Sequence, residues 1–554
     1  MYLRTTKRKN KDGSTVAYYQ LAHNIWDSEK GRSKVEILYN FGRADELERE
    51  ALVRLCRSIA KVCGVEVLDP LRGETTDRPL DVEMVRARGL GVPHIAKVLW
   101  ERLGIQAAVR KQIAEAGASP ELETALLAMV ANRLDAPTSK LGVWERWLDT
   151  VFMPEARELS LGRMYEALDF LHDHHQAIEE SVFFHTANLF NLEVDVIFYD
   201  TTTAEFALDE GDDGLRRFGH SKDGRWTPQV VIALAVTREG LPVRSWVFPG
   251  NTSDVTTIET IRADLRGWKL GRTLFVGDAG MNSEENRRHL TRGGGRYVLA
   301  CGVSSTKEVL HDVLKRPGRF KKIAENLHVK EVVVGEGELR RRYLVCRNPQ
   351  QAERERLHRE QVVRELEEEL ARHRDNSVDP KWAAKLRASG RYGRWLRVRN
   401  RKLEIDRKKV REAARHDGKW VLITNDDTLS PTDAADAYKA LLVIERCFRT
   451  MKSVQIEVRP MFHRLDRRIV AHVKVCVLAL LLTRVAERAT GKAWSRVHDD
   501  LQTLQAIEYE TPTHRFFQRT RPSRELIRVL SSLEITLPKQ VLATAPREEQ
   551  LTAA

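Results

Sequence analysis

Residues 194–203 read Val-Asp-Val-Ile-Phe-Tyr-Asp-Thr-Thr-Thr. A short apolar run that ends in a carboxylate is the pattern of a buried strand whose last residue reaches the sheet edge. Working outward, Gln229–Thr237 and Val243–Phe248 read as two further strands joined by a turn at Glu239-Gly240. Residues 256–268 carry helical spacing, and Thr273-Leu-Phe-Val-Gly-Asp278 repeats the first pattern, again closing on an aspartate. Residues 296–300 add a strand, and the sheet-like pattern resumes at Lys419-Trp-Val-Leu-Ile-Thr424. A meander followed by alternating helix and strand predicts a mixed α/β sheet.

The flanks read differently. Residues 1–64 are expected to form a small β unit, with strands at Ser14–Leu21 and Lys34–Phe41, followed by a helix. Arg4, Lys7, Arg8, Lys9 and Lys11 form a basic arm ahead of or within it. The breaker-rich stretch Asp69–Pro79 reads as a linker. Residues 80–190 are expected to be all-helical, with Ser119-Pro120 and Ser160 as helix starts. The sheet domain is expected in two parts, 191–301 and 419–465, interrupted by an insertion over 302–418. That insertion holds a hairpin at Val329–Cys346 and a charged helix from Gln350. Residues 466–554 are read as a C-terminal helical region.

Ninety-two Lys and Arg against 79 Asp and Glu in 554 residues leave a net charge of +13. A cationic surface suits a polyanionic partner such as nucleic acid. No apolar run approaches the ~20 residues of a bilayer span, the longest being Val475–Leu482. The basic N-terminus lacks the apolar core of a secretory signal. Six scattered cysteines without a CxxC pair argue against a disulfide framework or a zinc module and fit a reducing cytosol.

Three carboxylates are the candidates to carry chemistry. Asp200 and Asp278, the latter within Gly277-Asp-Ala-Gly-Met281, each terminate an apolar strand, although each also reads as a simple cap for the following turn. Glu445 stands between Tyr438 and Lys452 at intervals of seven, which drift only ~20° per step on a helix, with Arg449 one turn on. The surface alternative for Glu445 is an i,i+4 pair with Arg449. Leu171-His-Asp-His-His175 looks metal-like, but neighbouring side chains on one helix diverge. His472 in its apolar helix reads as a core histidine, and His220-Ser-Lys222 as a turn or a DNA contact.

In order and type, Asp200-Thr-Thr202, Asp278-Ala-Gly280-Met281 and Tyr438…Glu445…Lys452 resemble the D-D-E transposases of bacterial insertion sequences, in the insertion-sequence-four-like superfamily. Leu441 and Met281 depart from that signature, which has Arg and an aromatic there. Pro249-Gly-Asn-Thr-Ser-Asp254 and the N-terminal basic segment are also similar to one branch. The resemblance implies an RNase H-like mixed sheet with a β/α insertion, a small N-terminal β unit and an all-helical DNA-binding region. It implies catalytic, metal-binding Asp200, Asp278 and Glu445 holding two Mg²⁺ (Mn²⁺ substituting), with Tyr438, Arg449 and Lys452 on DNA.

The expected reaction is cleavage at transposon ends and transfer of the 3′-OH to target DNA. A metal-dependent nuclease without strand transfer and an inactive DNA-binding repressor are the alternatives. Expected partners are the terminal inverted repeats, target DNA and a second copy of the chain in a homodimer. No membrane is expected, and the place of action is the cytoplasm, at the nucleoid. Within the insertion, Arg391–Arg411 holds ten Lys or Arg against two acids. Aromatics among such charges can stack an unpaired base, so Trp382, Trp395, Arg391 and Arg394 are candidate DNA contacts; the alternative is a charged helical surface whose tryptophans face its own core.

Overall fold

The computed structural model describes residues 1–9, 15–27, 32–47, 49–63, 82–207, 210–222, 224–270, 272–302, 309–337, 340–373, 380–399, 402–453 and 455–546. The expected linker Asp69–Pro79 lies outside these. The chain divides into two units, Met1–Val82 and Glu83–Ala554.

The first unit is an antiparallel sheet of β1 (Tyr2–Lys9), β2 (Thr15–Asp27) and β3 (Arg32–Arg43), then helix α1 (Arg49–Cys63). The basic segment is therefore itself a strand, paired along β2 from Tyr2↔Ala22 to Lys9↔Thr15. Leu21, Tyr39 and Phe41 of the sheet line a shallow apolar groove with Leu52, Leu55 and Ile59 of α1.

The second unit opens with β4 (Glu83–Gly89). Helices α2 (Gly91–Arg102), α3 (Ile105–Ala116), α4 (Glu121–Asp135) and α5 (Leu161–Leu189) follow. Ser160 caps α5 by accepting from the Arg163 amide, and Ser119 accepts from the Glu121 amide.

Ten of the described strands then build one mixed sheet: β5 (Val196–Glu205), β6 (Arg217–His220), β7 (Trp226–Val236), β8 (Pro242–Pro249), β9 (Leu274–Gly277), β10 (Arg296–Cys301), β11 (Lys321–Ala324), β12 (Leu327–Val334), β13 (Arg341–Arg347) and β16 (Lys419–Thr424). Their spatial order is β11-β12-β13-β16-β10-β9-β5-β7-β6, with β8 also on β7. The β5–β9 and β9–β10 pairs are parallel and the others antiparallel. Helices α6 (Asp254–Gly267) and α7 (Glu284–Thr291) make the crossovers.

Strands β11–β13 belong to this sheet, so the hairpin at 329–346 extends the core. What leaves the sheet is smaller: α8 (Pro349–Arg372), α9 (Pro380–Ala388), the hairpin β14–β15 (Leu396–Arg399, Lys402–Ile405) and α10 (Arg407–Ala414). These share a separate apolar cluster of Val362, Leu366, Leu386, Trp395, Leu396 and Ile405.

After β16 come α11 (Pro431–Lys439), α12 (Leu442–Lys452), α13 (Asp466–Thr490), α14 (Trp494–Gln502) and α15 (Arg524–Ser532). The end of the chain corrects the helical expectation. Strands β17 (Gln505–Glu510), β18 (His514–Arg519) and β19 (Val541–Pro546) form a four-stranded sheet with β4. The reading of residues 80–190 as all-helical fails at β4 for the same reason: its partner β17 lies over 400 residues away, beyond any local periodicity.

Helix α13 is long and apolar enough to cross a membrane by length and composition, but 89% of its apolar window is buried inside the protein. Helices α4 and α5 and strand β8 pack around it. Its Lys474 is held by Glu179 of α5 (2.9 Å to each carboxylate oxygen) and by the carbonyl and hydroxyl of Ser245 on β8 (2.6 and 3.0 Å).

Candidate active site

Strand parity and register explain how the two aspartates meet. Parallel β5 and β9 pair Val196↔Leu274, Ile197↔Phe275 and Phe198↔Val276. Continuing that offset by two residues sets Asp200 opposite Asp278. Phe198 and Val276 face the larger core, whereas Tyr199 and Phe275 face the smaller one. Side chains alternate along a strand, so Asp200 and Asp278 share the face covered by Ala434 and Ala437 of α11 and Ile444, Cys447 and Phe448 of α12.

Each aspartate is fixed by backbone. The Thr201 amide donates to Asp200 Oδ1 at 2.7 Å. Asp278 accepts from the Gly280 amide and caps the short turn Ala279–Met281. Glycine suits position 280 because a Cβ there would stand 3.1 Å from Asp278 Oδ1 and 3.6 Å from Asp254 Oδ2. The carboxylates of Asp278 and Asp254 thus flank that residue.

Asp254, at the start of α6, and Lys222, in the β6–β7 turn, are the site residues that the sequence reading did not assign. Asp254 accepts from the Thr201 hydroxyl and, at 2.9 Å, from Lys222 Nζ. The Lys222 amide donates to Thr203 Oγ1 at 3.1 Å, which ties the turn to β5. The available signals were the segments Pro249–Asp254 and His220–Lys222; their convergence on one strand was not readable locally.

Burial pushes the Asp200 carboxyl up to about 7, and the negative charges of Asp278 and Asp254 add to this against the Thr201 amide and Lys222. Burial works against the charged form of Lys222, but the Asp254 hydrogen bond and the charges of Asp254, Asp200 and Asp278 raise its pKa overall. Carboxylates crowded in this way are what a divalent cation relieves, and hard oxygen donors suit Mg²⁺. Among the described residues, no group of three or more Asp, Glu, His or Cys side chains is placed to hold a metal ion.

Tyr438 links the sheet to the helices. Its phenol is raised by burial first and then by the charges of Asp278, Glu445 and Asp200, so all three carboxylates act on this ring. The single helix expected through Tyr438, Glu445 and Lys452 is instead two. Between α11 and α12 the chain tightens, with the amides of Leu441, Val443 and Ile444 bonding three residues back. Ile444, Cys447, Phe448 and Met451 bury one side of α12, leaving Glu445 and Arg449 exposed and Lys452 half-buried. Leu441 and Met281, the two departures from the family signature, are both buried in apolar cores.

The insertion's candidates lie apart from this cleft, in their own cluster. Trp395 is only 5% exposed and Arg394 covers its ring at 4.4 Å, so it is a core residue with no open face for a base. Trp382 is half-buried, stacked on His373 at 4.1 Å and bonded to Glu369. Arg391 pairs with Glu365 at 2.7 Å. Of the other histidines, His174 and His175 bond to Gln112 and to the His172 carbonyl.

Residues 195–482, just over half of the chain, match the family model of the transposase DDE domain. Residues 3–67 match that of the N-terminal domain of the IS1634 family of transposases. No curated protein matches. Among solved structures, the cryo-EM structure of a piggyBac transposase synaptic complex with hairpin DNA is similar at 9% identity and a TM-score of 0.37, over 74% of this chain and 78% of that one.

Proposed function

Given that the chain belongs to the insertion-sequence transposases with a DDE domain, we propose that it cuts DNA at the ends of its element and joins the freed 3′-OH to target DNA. In this reading the mixed sheet is an RNase H-like core and Asp200, Asp278 and Glu445 are its three carboxylates. They would hold two divalent ions, Mg²⁺ or in its place Mn²⁺. When bound, such ions would help water give up a proton and serve as the nucleophile on a phosphodiester, and would neutralise charge on the departing oxygen.

The remaining work falls to the chain itself. The Thr201 amide and the Gly280 amide orient the two aspartates, so little reorganisation is needed when their charges are engaged. Lys222 balances Asp254 beside them. Exposed Arg449, with Lys452, would grip phosphates flanking the cut, and Tyr438 would set the approach of α12. The basic β1 strand and the helices over 91–189 are the proposed readers of terminal inverted repeats. Trp382, Arg391 and Arg394 remain candidates for an accessory DNA contact. The active species is proposed to be a homodimer, because two ends must be processed together, acting in the cytoplasm at the nucleoid.

The observation that carries this reading is the parallel register of β5 with β9, which sets Asp200, midway along β5, opposite Asp278, just past the end of β9, on the face that α12 covers. The test is incubation of the full chain with labelled DNA bearing the element's flanks, with and without Mg²⁺. Mg²⁺-dependent nicks at the element boundary and joined products are expected. Nicks without joining would make the protein a nuclease, and bound but uncut DNA a repressor.

A further inference from the structure

A second charged site lies at the other end of β5. Past Glu205 the strand bonds to the segment after α12: the Met461 amide donates to the Glu205 carbonyl at 3.0 Å, and the Ala207 amide to the Met461 carbonyl at 2.9 Å. Between that segment, the loop after α4, and helices α5 and α13 is a cavity of about 580 Å³. Arg133, Lys140, Tyr165, His463 and His472 contribute to its wall.

Its electrostatics are unusual for a protein interior. Lys140 is 3% exposed and Arg133 4%. Neither makes an ion pair with a carboxylate among the described residues. Arg133 spends its donors on the carbonyls of Ile456, Glu457 and Thr138, and its Nε stays buried without an acceptor. Lys140 donates to His472 Nδ1 at 3.0 Å; the other ring nitrogen of His472 then donates to the Val458 carbonyl at 3.2 Å, which makes the imidazole neutral. His463 is likewise neutral, pushed down to about 3 by burial and by Lys140, Arg468 and Arg133.

Two buried cations share one cavity, and among the described residues its wall holds one carboxylate residue, Glu457, which bonds Arg133 through its backbone carbonyl and whose charge also favours the cation. Such charges are costly unless an anion meets them. Lys140 keeps two ammonium hydrogens, and no carboxylate among the described residues stands within ion-pair distance of it. Burial, with Arg133 nearby, pushes this amine down to about 7, the direction expected of a cation awaiting its counter-ion.

We propose that this cavity is a binding site for the phosphate group of a nucleotide, with Lys140 as its principal ligand and Arg133 as the supporting charge. The volume falls among pockets that take small organic ligands rather than a bare oxyanion. Six residues of extended strand separate Asp200 from Phe206, roughly 20 Å, or about six stacked nucleotides of one strand. That spacing matches the reach of a DNA strand engaged at the carboxylates. That choice of source rests on the transposition reading; the phosphate site itself does not.

The test compares the full-length wild type with Lys140→Met, which keeps the side chain's length and removes its charge. His463→Phe, which preserves ring packing and intrudes on the cavity, serves should the first variant not fold. Three probes are titrated by calorimetry without divalent metal: inorganic phosphate, deoxyadenosine 5′-monophosphate, and a single-stranded oligodeoxynucleotide of ten residues. The wild type is expected to bind the monophosphate more tightly than inorganic phosphate, and the variants to lose about tenfold or more. An equal loss for the oligonucleotide identifies the source as a DNA strand; an unchanged oligonucleotide affinity identifies it as a free nucleotide. Binding of the monophosphate and phosphate that is undetectable, or equal in wild type and variants, overturns the site, whereas failure of DNA cleavage in a separate assay bears only on the transposition reading.

Discussion

Two buried lysines flank helix α13 and are treated in opposite ways. Lys474, on the helix, is surrounded by the Glu179 carboxylate and both oxygens of Ser245. Lys140 reaches the same helix two residues earlier and finds only the neutral ring of His472. Burial pulls both amines below their ordinary pKa. The first is part of the fold, since its charge is spent on holding α5, α13 and β8 together. The second has charge left over. An interior charge that the protein answers itself reads as architecture, and one left unanswered reads as a site. The carboxylate cleft is the same case with the sign reversed, where Asp200 sits among like charges.

The largest expected effect of breaking this contrast is at Lys474. Lys474→Met strands Glu179 in the interior and should cost about 3–5 kcal/mol in urea unfolding. Lys140→Met removes an uncompensated charge and should cost nothing or stabilise. Equal losses would make both lysines structural.

Stability against pH sharpens the contrast. Lys140 titrates near 7 when folded and near 10.5 when unfolded, so between those values the unfolded chain holds more protons. Wild-type stability should therefore rise from pH 7 to 10 relative to Lys140→Met. Arg133 stays charged, His463 and His472 stay neutral, and Cys476 is pushed up by burial, so none of them mimics this. A parallel pair of stability curves would contradict it.

Asp200 predicts the opposite slope. Its carboxyl binds a proton more tightly when folded, at about 7 against 3.8, so the metal-free protein should lose stability as pH rises from 4 to 7. Without metal, Asp200→Asn should be more stable than wild type at pH 8, with no difference below pH 4. Excess Mg²⁺ should restore the wild type at pH 8 while leaving the variant unchanged in thermal melts. Smaller still, Thr201→Val removes the tie to Asp254 and should cost about 1 kcal/mol, read as a drop of about 1 °C in melting temperature for a unit of this size.

Much of this was legible beforehand, for identifiable reasons. The apolar runs that lead into Asp200 and Asp278 are short, and the element order around them fixes a mixed sheet, although the first strand runs on past Asp200 to Glu205. Glu445 stood out through its spacing from Tyr438 and Lys452. The turn between α11 and α12 was not legible, because Ala440 and Leu441 are good helix formers and no breaker marks the place. Strands β4 and β17–β19 escaped because they pair across the length of the unit. Trp395 could be read two ways, because the ten surrounding cations suggest a DNA face whereas its ring serves a small core that needs a large apolar residue. Asp254, Lys222 and the Lys140 cavity depend on loops brought together by folding, and no single stretch of sequence carries them.

The most direct measurement is cleavage of end-bearing DNA by Glu445→Gln, with end binding followed in parallel. Mg²⁺-dependent nicking should fall by on the order of 10³-fold or more while the affinity for the ends stays within about twofold. Nicking at the wild-type rate would remove Glu445, and the three-carboxylate site with it, from the chemistry.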